Sequence, residues 1–112
     1  MVVDQVTELD FATPLRLWIS GHRDALQARG IELQSGELPD GAGNDPVIWL
    51  DLFRGERGGR LAVWRAGDTE LEVADFTTGQ STPSHFTPGS PQEVLGVLDR
   101  LLDWIGAGDV VR

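Results

Sequence analysis

Residues 60–75, RLAVWRAGDTELEVAD, decide the fold. Apolar and polar residues alternate on both sides of Gly67-Asp68, which is the mark of two strands folded about a tight turn. Glycine at the first position of a two-residue loop fits a type II′ turn. That turn sets Arg65 opposite Glu70, Trp64 opposite Leu71, Val63 opposite Glu72 and Ala62 opposite Val73. One face of the hairpin then carries Ala62, Trp64, Leu71 and Val73 and belongs in the core. The other carries Leu61, Val63, Arg65, Glu70, Glu72 and Ala74. A slip of one residue would bury Glu70 and Glu72 unpaired, which is costly.

Working outward, PVIWLDLFR (46–54) is a strongly β-prone run that leads through GERGG into the hairpin. With Ile48, Leu50 and Leu52 in the core, Val47, Trp49, Asp51 and Phe53 point away from it. IELQS (31–35) forms a further short strand, and QSTPSHFT (80–87) an edge strand, where Pro83 is tolerated because an edge needs fewer donors. The segment between the first two strands, GELPDGAGND (36–45), is a loop by composition and carries Glu37, Asp40 and Asp45.

Helices flank the strands. Residues 14–29 place Leu15, Trp18, Ile19, His22, Ala25 and Leu26 on one face, with Thr13 as cap, Pro14 in the first turn and Gly30 as terminator. Gly21 inside this helix suggests the close approach of a strand. Residues 90–105 open with Ser90 and Glu93 as a capping box. They run on through the stripe Val94, Leu95, Leu98, Leu101, Leu102 and Ile105 to Gly106. Trp18, Trp64 and Trp104 are assigned to the core. The fold class expected is α+β: an antiparallel meander sheet of four to five strands, with an N-terminal and a C-terminal helix packed on one face. A single domain spans 1–112, with 1–12 a loosely ordered arm.

Composition narrows the function. The chain has 112 residues and a formal net charge of −9. All nine cations are arginine, and cysteine is absent. An acidic surface of this strength opposes nucleic acid and anionic lipid. The absence of cysteine removes disulfides, thiolate metal sites and a cysteine nucleophile. No apolar stretch is long enough for a membrane span, and the acidic N-terminus is unlike a signal peptide. A cytoplasmic protein is the default expectation, and a monomer is favoured.

Catalytic chemistry is sparse. The two histidines are His22, on the apolar face of a helix, and His85, in a polar edge strand. Neither stands at ligand spacing, and no phosphate loop or nucleophile elbow is present. No cofactor or metal is implied, and the chain is expected not to be an enzyme. The outward face instead reads as a protein interface, with Trp49 and Phe53 as anchors amid Asp51, Arg65, Glu70 and Glu72. The acidic loop carrying Glu37, Asp40 and Asp45 would join it. Alternatively, Trp49 and Phe53 are ordinary cover for the sheet, or the chain is a small α+β ligand-binding or secretion-adaptor protein.

The sequence pattern also resembles a known family. It runs from a first helix with LW and RGI, through VIWLDL, RLAVWRAGDTELEVAD and TTG, to a last helix ending LDRLLDWI. Over roughly 15–105 this is similar to the TriTu family of bacterial immunity proteins. The resemblance implies stoichiometric neutralisation of a cognate polymorphic toxin, an ADP-ribosyltransferase acting on elongation factor Tu in the family's namesake pairing.

Overall fold

The computed structural model describes residues 10–38 and 46–108. Among them the order is α1 (Thr13–Ala28), β1 (Glu32–Leu38), β2 (Val47–Arg54), β3 (Arg57–Trp64), β4 (Thr69–Asp75), β5 (Gln80–Phe86) and α2 (Glu93–Trp104). The strands form one five-stranded antiparallel sheet in the order β1-β2-β3-β4-β5. This is the expected α+β meander, and both helices lie on one face of it.

Each helix ends in the way its glycine allows. At the end of α1 the Ile31 N–H donates to Leu26 O and the Gly30 N–H to Gln27 O, with Gly30 at φ 78°. At the end of α2, Ala107 donates to Leu102 O and Gly106 to Asp103 O, with Gly106 at φ 73°. Both are complete Schellman motifs, and both bury the residue after the glycine. The helix starts differ from expectation. Thr13 is the first helical residue and Ala12 the N-cap, without a side-chain cap. The helical hydrogen bonding of α2 begins at Glu93, whose carboxylate accepts from the Gly89 N–H rather than from Ser90.

The core lies between helices and sheet. Leu15 and Leu26 of α1, Leu50 and Leu52 of β2, Leu61 and Val63 of β3, and Leu98, Leu101 and Leu102 of α2 are all at most 1% exposed. Gly59 brings α2 close to β3: a β-carbon there would stand 2.7 Å from Leu101 Cδ1. Gly21 has no such role, with open space around it, and Ala25 is exposed rather than buried. Phe11 and Ala12, which composition placed in a loose arm, are buried in the core.

The central hairpin requires a correction. Ala62 pairs with Glu70, Leu61 with Leu71 and Val63 with Thr69. The connection is four residues long, Arg65 to Asp68, closed by the Trp64 N–H donating to Asp68 O and the Gly67 N–H to Trp64 O. The upstream Phe11 N–H donates to Arg65 O, and its ring lies against Gly67. Loop length sets hairpin register, so the longer loop turns β3 over while β4 keeps its faces. Leu61 and Val63 face the helices, whereas Ala62 and Trp64 face away. Trp64 therefore leaves the core that the two-residue turn assigned to it. Trp18 and Trp104 pack against the core, half-buried.

Candidate interface on the open sheet face

Two faces follow from the register. The helix-covered face carries Leu33, Ile48, Leu50, Leu52, Leu61, Val63 and Leu71. Among the described residues no helix covers the other. Its central rows across the strands are Gly36, Trp49, Ala62, Glu70 and His85, then Gln34, Asp51, Arg60, Glu72 and Pro83. A third row is Glu32, Phe53, Gly58, Ala74 and Ser81.

The rings of Trp49 and Phe53 are seated by glycines. A β-carbon at Gly36 would lie 2.6 Å from Trp49 Cζ2, so the indole lies across β1. A β-carbon at Gly58 would overlap Phe53 Cδ1, so that ring lies across β3. Flat placement over a backbone without side chains gives each ring contact on one side while keeping it half-exposed. Phe76, 53% exposed, extends the aromatic strip, its ring centre 6.0 Å from that of Phe53.

Asp51 is on this face, as expected, but it is 7% exposed. Arg60 covers it: Nε donates to Oδ1 at 2.7 Å and Nη2 to Oδ2 at 2.9 Å. The same guanidinium stands 4.7 Å from the centre of the Trp49 ring. Its hydrogen bond to Asp51, aided by the charges of Asp51 and Glu72, raises the already high Arg60 pKa. Glu70 and Glu72 are exposed beside it, as expected from β4. With Ala62, Pro83, Ser84 and His85 they line a shallow depression of about 290 Å³. His85 Nε2 lies 3.6 Å from Asp68 Oδ1.

Two predicted contributors lie elsewhere. Arg65 belongs to the β3–β4 connection, where its N–H donates to Pro46 O, and it is not on the face beside Glu70. Glu37 belongs to β1, not to a loop. It turns toward α1, accepting from Arg16 Nη2 at 2.8 Å and Nε at 2.9 Å. The Arg16 hydrogen bond lowers the Glu37 pKa and raises that of Arg16. Asp40 and Asp45 lie outside the described residues. Sequence reasoning missed Arg60, Trp64 and Phe76 as members of this surface. The first two became visible only with the true loop length, since both occupy alternate positions of β3.

Residues 13–104 match the family model described as "Immunity protein TriTu". The chain belongs to the TriTu family. The match begins at the first residue of α1 and ends at the last residue of α2, so it covers the whole helix–sheet unit. No curated protein and no solved structure matches the chain. TriTu membership makes this an immunity protein, and immunity implies a protein partner. Among the described residues no helix is long and apolar enough to cross a membrane.

Proposed function

We propose that this TriTu protein neutralises a cognate toxin by binding it stoichiometrically through the open sheet face. The supporting observation is the composition of that face: Trp49, Trp64 and Phe53 stand beside exposed Glu70 and Glu72 on a sheet side that no helix covers among the described residues. Aromatic side chains supply contact area and slow dissociation, and peripheral carboxylates orient a cationic partner. A formal net charge of −9 extends that attraction beyond contact range. The toxin class follows from the family resemblance: an ADP-ribosyltransferase that modifies elongation factor Tu. Binding needs no catalytic group, cofactor or metal from the immunity protein, and a monomer in the cytoplasm meets its demands.

Co-expression with a candidate cognate toxin domain, an ADP-ribosyltransferase acting on elongation factor Tu, followed by pull-down and growth rescue, tests the reading. Trp49→Ala, or Glu70→Arg with Glu72→Arg, is expected to weaken capture and protection while the unfolding midpoint in urea stays near the parent's. Leu98→Ala provides the contrast. It empties a site 1% exposed in the core, costs about 2–5 kcal/mol and lowers protection only through the folded fraction. Full protection by the Trp49 and glutamate variants would place the interface elsewhere.

A further inference from the structure

Arg60 stands between two carboxylates. The β2–β3 register sets it opposite Asp51, and the β3–β4 register sets it opposite Glu72. Both of its described hydrogen bonds go to Asp51, through Nε and Nη2. The choice has a physical reason. The Asp51 side chain is 10% exposed, whereas Glu72 is open to water. A carboxylate withdrawn from water depends on a bidentate guanidinium, while an exposed one gains little from the same pairing. The Asp51 bond also fixes where the guanidinium sits, over the Trp49 ring.

We propose that Asp51 is a positioning residue for the toxin interface: it holds Arg60 against Trp49 and away from Glu72. A cationic toxin surface then meets a preformed Trp49–Arg60 anchor beside the exposed Glu72, to which Arg60 makes no hydrogen bond among the described residues. The proposal rests on the open face being the toxin-binding surface. Tryptophan and arginine are the side chains most enriched among the residues that dominate binding energy. A pair already held in place loses less side-chain freedom on association. Asp51 and Arg60 also cancel each other's charge, so Glu70 and Glu72 set the local field. Without Asp51, Arg60 turns to Glu72, cancels it and leaves the indole.

Calorimetric titration of the same toxin domain into the full chain tests this, using Trp49→Ala, Asp51→Asn, Glu72→Gln and the Asp51→Asn/Glu72→Gln double variant. Asp51→Asn and Glu72→Gln are each expected to weaken binding about tenfold, and the double variant no more than about the weaker-binding single one, because both changes remove the same carboxylate from the toxin's reach. Independent losses that multiply to about a hundredfold would overturn the proposal, since Asp51 would then act only as a structural residue. Parental affinity in Asp51→Asn with weakened Trp49→Ala would overturn it too, leaving the open face as the interface. Parental affinity in Trp49→Ala would instead remove the interface reading itself. Urea unfolding checks each variant. Should Asp51→Asn not fold, Arg60→Lys takes its place: it keeps the charge, loses the fork geometry, and is expected to show the same non-additivity with Glu72→Gln.

Discussion

Gly36 carries no side chain where Trp49 needs the space. Its β-carbon would intrude on Cζ2 at 2.6 Å and Cε2 at 2.9 Å, so alanine there must displace the indole. Gly36→Ala is expected to cost about 1–2 kcal/mol of stability, in the range for overpacking a fitted contact, and, if the open face is the interface, to weaken toxin capture as expected of Trp49→Ala. Urea unfolding and pull-down of the same variant check the two effects; unchanged values in both would show that the indole has other room. This contact was not legible in the sequence. Gly36 read as a loop residue because Gly, Pro and Asp follow it, while its strand pairing with Trp49 depends on the neighbouring β2. Glu37 was misplaced for the same reason. Trp49 and Phe53 were legible, because Ile48, Leu50 and Leu52 supply a consistent aliphatic alternative for the core face.

At the scale of elements, arginines fasten both helices to the sheet, α2 through arginines of the β2–β3 hairpin and α1 through its own. Neither helix has a basic residue in its last turn. At the end of α2, Arg54 Nη1 donates to Gly106 O and Arg57 Nη1 to Trp104 O, both arginines coming from the β2–β3 hairpin. They meet carbonyls left without helical donors and the negative end of the helix dipole. The Trp104 Nε1–H donates in turn to Ala74 O of β4. On the other side, α1 is tied to β1 by Arg16 with Glu37 and by Arg23 Nη2 donating to Ser35 Oγ.

The α1–β1 tie has a pH signature. The Arg16 hydrogen bond lowers the Glu37 pKa in the folded chain below the ordinary 4.5. A depressed carboxylate pKa contributes stability that is present above the unfolded value and is lost as pH falls through the folded one. Both side chains are nearly half-exposed, so solvent screening keeps the contribution to about 0.2–1 kcal/mol. Glu37→Gln is expected to be less stable than the parent by that amount at neutral pH, and the difference should narrow as pH falls below 4.5. Urea midpoints measured across pH 3–7 check it; a gap that persists in acid would assign the effect to packing.

At the scale of the whole molecule, charge and shape are divided between the two sides of one sheet. The helix-covered side provides the aliphatic core. The open side keeps the carboxylates of β4 in water beside aromatic rings. If a field from a net charge of −9 steers the toxin, association should slow on the order of tenfold between low and high salt, while dissociation changes little. Stopped-flow binding at several ionic strengths measures this. A salt-independent association rate would leave the aromatic contacts as the whole basis of recognition.

The sequence by itself determined the elements, their order and the two-sidedness of the sheet. These follow from local periodicity: 3.6 in the helices, 2 in the strands, and glycines where the helices stop. It also determined that Glu70 and Glu72 face water, because Leu71 and Val73 between them have no comparable alternative. It did not determine which side of β3 enters the core, since Leu61 and Val63 on one side and Ala62 and Trp64 on the other are both apolar. The tertiary structure decided that question through Phe11, which packs on Gly67 and holds a four-residue connection, and through α2, which meets β3 at Gly59. By turning β3 over, those contacts set Arg60 between Asp51 and Glu72. Period-two alternation cannot distinguish two apolar faces; only the helices packed against one of them can.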